Sequence, residues 1–164
     1  MQKIIKSAPY LQEALHKCFR RIDEHCFIQD EAMLSRLEED GLVYVLVDNK
    51  RVYGYIVLSR NCRLLYEDYE DGVYTSMLDE LGIYEDDKAA IIGFGVDPAV
   101  PYEPYLKLLM DFAKSKYDHT TLLMRFTTSP SEQMKAALKK QHFSFYQDYG
   151  CYKYRKDGLA SRGW

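Results

Sequence analysis

Hydrophobic residues near the start of the chain recur at helical spacing. They predict one amphipathic helix that packs on a core, with the apolar positions Leu11, Leu15, Cys18, Phe19, Ile22 and Cys26. A short strand over residues 3–6 precedes this helix. Ser7 and Pro9 indicate the helix start, because a hydroxyl can accept from an unpaired N–H and proline is tolerated in a first turn. Asp30 is expected to cap a second helix, and Gly41 can adopt the left-handed conformation beyond its end.

Strand-like runs dominate the middle of the chain. Residues 42–47 and 51–58 are rich in β-branched and aromatic side chains, and they flank the turn-forming triplet Asp48-Asn49-Lys50. This arrangement predicts a β-hairpin. Residues 89–96 form an apolar run that is typical of a strand buried on both faces.

A strand–helix–strand unit follows, with a helix over residues 104–116 that begins at a proline and a strand over residues 120–127. We expect its two strands to be parallel and its crossover to be right-handed. The motif Ser129-Pro130-Ser131-Glu132 predicts another helix, with Ser129 as the cap and Glu132 completing a capping box.

Two closing strands are predicted over residues 142–147 and 149–154, after the last helix ends near residue 141. All strands are expected to form one mixed sheet, with the strand at residues 89–96 in its centre. The expected core includes Leu15, Phe19, Val45, Val57, Ile92, Phe94, Leu109, Leu123 and Leu138.

The length of 164 residues fits one domain, which we assign to residues 1–155, with a flexible polar tail over residues 156–164. Residues 60–88 carry two acidic clusters, at 67–71 and 85–87, around a short predicted helix. We interpret this segment as an acidic insertion, and we expect its two clusters to lie outside the core because closely spaced like charges cannot be buried unpaired.

Composition narrows the classes of partner and location. The net charge of −3 gives no global reason to expect nucleic acid, although a basic patch in the fold stays conceivable. No apolar run is long enough to span a bilayer or to act as a signal peptide. The four cysteines lack the spacing of a zinc site. We therefore expect no nucleic-acid partner, no membrane segment, no metal, reduced thiols and a cytoplasmic location.

The order of the predicted elements resembles the fold of the GNAT N-acetyltransferases over residues 3–155. Three local motifs add to the resemblance. Val52-Tyr53-Gly54-Tyr55-Ile56 is similar to the third strand of that family, Val96-Asp97-Pro98 to the V-x-P at the end of its fourth, and His142-Phe143 to the Gly-Phe after its last helix. The resemblance implies an α/β fold with a mixed central sheet, whose fourth and fifth strands splay apart and whose faces are covered by helices.

The resemblance also implies acetyl-CoA as the cofactor. In that family, V-x-P-x-x-[RQ]-x-x-G-x-[GA] presents backbone N–H groups at a helix N-terminus to the pyrophosphate. Here Pro101, Pro104 and Leu106 replace its three characteristic residues. Proline has no N–H, so two lost donors would weaken binding by about a hundredfold. The expected cofactor-binding residues are Phe94, Gly95 and Val96 for the pantetheine arm, and Tyr105 and Leu106 for the phosphates.

The catalytic part of the resemblance is also incomplete. Leu138 lies where the family has the tyrosine that protonates the leaving thiolate, and leucine cannot donate a proton. Tyr102, Tyr146 and Tyr149 are the candidate substitute acids, although tyrosines more often pack. Arg125 is a further candidate for a phosphate, and an ion pair at the sheet margin is its alternative role.

Two functions are therefore open. The first is a divergent acyl-CoA-dependent N-acetyltransferase that transfers an acetyl group to the primary amine of a small molecule or peptide, which the acidic insertion would attract when it is cationic. The alternative is a non-catalytic binding or regulatory module that has kept the fold and lost the chemistry.

Overall fold

A single seven-stranded sheet organises the computed structural model, which describes residues 2–67, 71–83, 85–147 and 150–155. The strand order is β1-β2-β3-β4-β5-β7-β6. The strands are β1 (Lys3–Lys6), β2 (Val43–Asp48), β3 (Arg51–Ser59), β4 (Lys88–Val96), β5 (Thr121–Arg125), β6 (Ser144–Tyr146) and β7 (Cys151–Tyr154). The helices are α1 (Gln12–Arg21), α2 (Glu31–Glu39), α3 (Asp71–Glu80), α4 (Tyr102–Lys116) and α5 (Glu132–Lys140).

The predicted hairpin is confirmed as β2 and β3. Asn49 and Lys50 form its turn with φ angles of 50° and 69°, the left-handed pair that matches the twist of a two-residue hairpin. Asp48 belongs to β2, where it pairs with Arg51.

The predicted splay between the fourth and fifth strands is also confirmed. β4 and β5 run parallel and pair only along residues 88–91 and 121–124. β5 ends at Arg125, whereas β4 continues to Val96, so the sheet opens into a wedge at the carboxyl ends of these two strands. We call this wedge the splay.

A β-bulge lies where the splay begins. Val57 of β3 is opposite Gly93, and Leu58 is opposite Ile91, so Ile92 is an extra residue on β4. A bulge of this kind bends its strand and increases the local twist. The bend turns the last residues of β4 away from β5.

Two apolar clusters cover the two faces of the sheet. The first packs α1, α2 and α3 against one face, and the second packs α4 and α5 against the other. Leu123 belongs to the first cluster, and Leu122 and Met124 to the second, as strand alternation requires. All nine predicted core residues are buried.

The acidic segment contributes to the first cluster. Tyr74, Met77 and Leu81 are buried there, whereas Asp79 and Glu80 are exposed. The apolar side of α3 is therefore part of the core, although Asp79 and Glu80 face solvent. The interpretation of residues 60–88 as an insertion stays a prediction, and residues 68–70 and the tail at 156–164 lie outside the described residues.

Four helix boundaries differ from the sequence prediction. α1 starts at Gln12 after a 3-10 turn (Pro9–Leu11) whose N-cap is Ala8, so Ser7 does not cap it. α1 ends at Arg21, so Cys26 is not on it. α4 starts at Tyr102, two positions before the predicted Pro104, with Pro101 as its N-cap. The cap of α5 is Ser131 and not Ser129, since the Ser131 hydroxyl accepts from Met134 N–H. The motif contains two serines that could cap the helix. Only Ser131 contacts Glu24, a residue distant in the sequence, and it is the serine that forms the cap.

The cap of α2 agrees with the prediction. The Asp30 carboxylate accepts from Met33 N–H at 2.8 Å, and Gly41 has a φ of 73° beyond the helix end. No helix in the described part of the chain is long and apolar enough to cross a membrane.

His16 joins α1 to α2 through two carboxylates. Its Nδ1 lies 2.9 Å from Glu31 Oε2 and its Nε2 2.7 Å from Glu38 Oε1. Ionised carboxylates only accept, so both ring nitrogens must donate, which the imidazolium alone can do. Burial acts to lower the pKa of His16, but these hydrogen bonds outweigh it and the pKa is raised.

We predict that this contact makes stability depend on pH. A pKa raised by folding stabilises the protein fully below the unfolded value of about 6.5, and the stabilisation is lost as pH rises through the folded value. The contact with Glu38, the more buried of the two carboxylates, contributes roughly 0.5–1 kcal/mol to the free energy of unfolding. Urea unfolding at pH 5.5, 7 and 8.5 should show this decline, and the difference between wild type and His16→Gln should vanish at the highest pH. A difference that stayed constant with pH would contradict the assignment.

Candidate functional site

The splay opens into a pocket of about 280 Å³. Its walls are the last residues of β4, the first turn of α4, the start of α5 and the segment that follows α1. A wedge beyond the carboxyl ends of parallel strands is where α/β folds commonly bind ligands. We therefore take this pocket as the candidate site.

One side of the pocket is an unpaired strand edge. Asp97 N–H donates to Tyr53 O on β3 at 2.8 Å, so Gly95 and Gly93, at alternate positions, also bond to β3. Phe94 and Val96 therefore direct their backbone groups into the splay. Within the described chain, the Phe94 C=O and both backbone groups of Val96 form a free edge two residues long.

The narrow end of the splay is filled by residues 22–28, which we call the strap. Phe27 N–H donates to Ile92 O at 3.2 Å, and Thr127 N–H donates to Cys26 O at 3.2 Å. The strap thus bonds to β4 on one side and to the chain just after β5 on the other. It supplies the backbone partners that the separated strands no longer give each other.

Side chains fix the strap to three neighbouring elements. Glu24 accepts from the backbone N–H of Ser131 at 2.9 Å and from its hydroxyl, at the N-terminus of α5. His25 Nδ1 lies 2.6 Å from the Tyr55 hydroxyl, and its ring stacks on Phe19 with centroids 3.8 Å apart. Burial lowers the pKa of His25 and favours the neutral ring.

An ion pair holds the turn between β4 and α4. Arg21 Nε donates to Asp97 Oδ2 at 3.0 Å, and Ala99 N–H donates to Asp97 Oδ1 at 2.9 Å. Burial acts to raise the pKa of Asp97, but these hydrogen bonds outweigh it and the pKa is lowered. The middle residue of the Val96-Asp97-Pro98 motif is therefore a buried carboxylate that positions the loop.

The N-terminus of α4 offers few donors for an anion. Pro98, Pro101 and Pro104 have no N–H, and those of Ala99 and Val100 are bonded to Asp97. The unpaired donors of the first turn are the N–H groups of Tyr102 and Glu103, at the positions that a helix leaves without partners.

The predicted phosphate positions shift accordingly. Because α4 starts at Tyr102, the N–H groups of Tyr105 and Leu106 fall where a helix bonds them to carbonyls one turn back. The Leu106 side chain is buried in the second cluster, and the Tyr105 hydroxyl accepts from Gln2 at 2.6 Å. The role of Tyr105 and Leu106 in phosphate binding stays a prediction, and the N–H groups without a helical partner are those of Tyr102 and Glu103.

Arg125 lies on the opposite face of the sheet from α4. Its Nη1 donates to Leu65 O at 2.6 Å, and its guanidinium lies 5.0 Å from the centre of the Tyr66 ring. It does not line the pocket. Its phosphate role and its alternative, an ion pair at the sheet margin, therefore both stay predictions.

Only one of the candidate tyrosines in the described chain lines the pocket. Tyr102 is half-buried there, and its hydroxyl donates to Met134 Sδ at 3.6 Å. Burial raises its pKa, so the hydroxyl stays protonated and can donate. Tyr146 packs against the first cluster on the other face, where burial raises its pKa to about 12. Tyr149 lies outside the described residues, and Leu138 is fully buried.

A cavity of about 920 Å³ lies elsewhere, between α5 and the β6–β7 hairpin. None of the predicted site residues lines it. We therefore keep the candidate site at the splay.

Glycine lets the strap approach β4, and we predict that Gly93→Ala destabilises the protein. A Cβ on Gly93 would lie 2.5 Å from Ile28 Cδ1 and 2.9 Å from the His25 carbonyl oxygen, which as backbone cannot easily move. The expected loss is about 1–3 kcal/mol in urea unfolding. Gly72→Ala is the matched control, because nothing lies within 4 Å of that position. Equal stability of the two variants would contradict the close approach.

No protein-family model and no curated protein sequence matches the chain. Solved structures do match it. A GNAT-family acetyltransferase from Bacillus cereus ATCC 10987 aligns over 95% of this chain and 98% of its own, with a TM-score of 0.61 and 11% identity. The apo form of an agmatine N-acetyltransferase mutant aligns over 95% and 100%, with a TM-score of 0.60 and 10% identity. The Bacillus subtilis N-acetyltransferase YlbP in complex with coenzyme A aligns over 96% and 98%, with a TM-score of 0.58 and 16% identity.

Proposed function

We propose that this chain, which has the fold of the GNAT acetyltransferases, binds an acyl-CoA in the splay and transfers the acyl group to an amine. The free strand edge at Phe94 and Val96 is the observation that carries the proposal. A pantetheine arm contains amide groups that can pair with such an edge as an added strand would. Pairing of this kind uses the backbone alone, so it tolerates the divergent side chains around it.

The site fits the phosphates of CoA less well than it fits the pantetheine arm. The N–H groups of Tyr102 and Glu103 and the positive end of the α4 dipole can hold an anion. The Glu103 carboxylate repels an anion, although Lys140 Nζ lies 2.8 Å from Glu103 Oε1 and offsets its charge. We therefore expect weak binding.

Acyl-CoA would supply the thioester whose acyl carbon an amine attacks, forming the C–N bond and releasing the thiolate. Tyr102 would donate its hydroxyl proton to that thiolate, since it is the described tyrosine that lines the pocket. Its proton would be replaced from solvent.

A cationic acceptor is favoured by the strap. The carboxylates of Asp23 and Glu24 line the pocket, and Asp23 is exposed. Residues 85–87 of the acidic segment instead precede the first residue of β4, about 26 Å along the strand from Val96. Attraction of an amine to the site therefore rests on Asp23, which would also hold the proton that the amine loses.

Titration calorimetry with CoA and acetyl-CoA tests the binding step. A dissociation constant between about a micromolar and a millimolar is expected. A sub-micromolar constant would contradict the loss of phosphate donors. No binding at millimolar concentration would favour the alternative, a non-catalytic binding or regulatory module.

For the catalytic step, we predict that Tyr102→Phe lowers kcat of acetyl transfer to a panel of amines by about a hundredfold, without changing the Kd for acetyl-CoA. The ring and its packing remain, and only the proton donor is lost. Tyr146→Phe is the matched control, because that hydroxyl lies on the other face of the sheet. Equal kcat values for Tyr102→Phe and wild type would exclude Tyr102 as the acid.

For the phosphates, we predict that Pro104→Ala tightens CoA binding by about tenfold. The substitution restores an unpaired N–H in the first turn of α4, where it can bond to a charged oxygen. Pro9→Ala, before α1 and far from the site in the sequence, is the control. An unchanged affinity measured by calorimetry would mean that the phosphates bind elsewhere.

A further inference from the structure

We infer that the cavity between α5 and the β6–β7 hairpin is a second binding site, which takes a small aromatic molecule that carries a phosphate or a carboxylate. We call it the hairpin cavity. Its volume of about 920 Å³ is typical of small-molecule sites, and it is larger than the pocket of about 280 Å³ at the splay. The hairpin cavity is separate from the splay, and its ligand does not depend on the proposed acyl transfer.

The helix α5 separates the two sites. Gln133 and Met134 line the pocket at the splay. Lys135, Lys139 and, just beyond the helix end, His142 line the hairpin cavity. These three residues recur at intervals of four and three, so they share one side of the helix, and Gln133 lies across the helix from them. A ligand in the hairpin cavity therefore contacts a face of α5 that the splay does not use.

The hairpin cavity carries positive charge. Among the described residues that line it, five are basic and none is acidic. Two of the five basic side chains are held by other parts of the chain. Lys153 Nζ donates to Leu81 O at 2.6 Å, and the Arg155 guanidinium pairs with Asp87.

The other three cations, Lys135, Lys139 and His142, are exposed and can meet a ligand. In the described chain, neither Lys139 nor His142 forms an ion pair. Lys135 lies 3.3 Å from Glu132 on the surface of the same helix, and an exposed pair of this kind is weak. Lys135 and Lys139 are one turn apart, about 6 Å along α5, so both can bind one phosphate or carboxylate.

An aromatic surface adjoins these cations. Phe145 on β6 is 53% exposed, whereas Tyr152, directly opposite it on β7, is buried. The centres of the two rings are 4.9 Å apart. A ligand ring that packed on Phe145 would cover this exposed surface and extend the aromatic pair. An exposed ring beside cations favours a ligand that joins an aromatic ring to an anion.

The backbone at His142 gives independent support. Phe143 N–H donates to Leu138 O and His142 N–H to Lys139 O, both at 3.0 Å, which is a helix ending that usually places glycine at the position of His142. His142 has a φ of 69°, a left-handed conformation that glycine adopts without strain and other residues do not. A side chain kept at a strained position beside a cavity indicates that it has a function there.

An NMR titration of the whole chain with millimolar phenyl phosphate tests the site. The amide signals of Lys139, His142 and Phe145 should shift and saturate. The affinity should be about tenfold higher than for inorganic phosphate, which lacks the ring, or for benzyl alcohol, which lacks the charge. Phenylacetate provides the carboxylate arm, and the tighter of the two aromatic anions identifies the anion that the site prefers.

The signals of Tyr102 and Glu103 report separately on anion binding at the splay. Shifts confined to those two residues would overturn the inference. Equal affinities for phenyl phosphate and inorganic phosphate would also overturn it, because the ring would then contribute nothing.

Two exposed positions separate the contribution of the charge from that of the ring. Lys139→Gln should weaken phenyl phosphate binding by about tenfold. Lys140→Gln is its control, since it removes the same charge from the same helix but does not line the hairpin cavity. Phe145→Ala should lower the affinity to that of inorganic phosphate, and Tyr10→Ala, which removes another exposed ring, should not. Equal affinities of Lys139→Gln and Lys140→Gln would contradict the site.

The variant His142→Gly distinguishes a binding role from a structural one. Glycine relieves the left-handed backbone, so the urea midpoint should be no lower than in wild type, while the affinity for phenyl phosphate falls by about tenfold. An unchanged affinity would overturn the inference at any midpoint. Sedimentation of the free protein gives a further check. A dimer that forms with rising concentration and is lost in Phe145→Ala would assign this face to an interface between copies and would overturn the inference as well.

Discussion

The parting of β4 and β5 is the constraint on which the rest of the structure depends. Backbone groups inside a protein need partners, and two strands that separate leave theirs exposed. The strap satisfies Ile92 O and Thr127 N–H at the narrow end. Beyond it, the edge at Phe94 and Val96 is left for a ligand. The bulge at Ile92, the glycine at position 93 and the buried Asp97 all serve this geometry, by bending β4, admitting the strap and holding the loop beyond.

Much of the fold could be predicted from the sequence because it follows from neighbouring residues. The hairpin turn needs two left-handed residues between two β-rich runs, and Asn49 and Lys50 stand directly between those runs in the sequence. The alternation of Leu122, Leu123 and Met124 between two faces is a property of any strand. Asp30 caps α2 through a bond to Met33, which lies within one helical turn of it.

The site was harder to predict because its contacts join residues that are distant in the sequence. Cys26 continues the helical spacing of α1, and only the bonds of its carbonyl oxygen with Thr127 show that it belongs to the splay. Arg125 could meet a phosphate in a local pattern, whereas the structure pairs it with the carbonyl of Leu65. Val96-Asp97-Pro98 was a correct local signal, but nothing near it in the chain identifies Arg21 as the partner of Asp97.

The bond between Glu24 and Ser131 gives the strap a role beyond filling space. Glu24 places a carboxylate at the N-terminus of α5, where the helix dipole favours negative charge. Glu24 also lines the pocket, so a ligand that displaced its carboxylate would weaken the first turn of α5, and ligand binding and the stability of that turn would be thermodynamically linked. Such linkage is reciprocal, so anything that stabilised the turn would change the affinity of the pocket by the same coupling free energy. Through this one carboxylate, the N-terminus of α5 would respond to occupancy of the pocket beside β4.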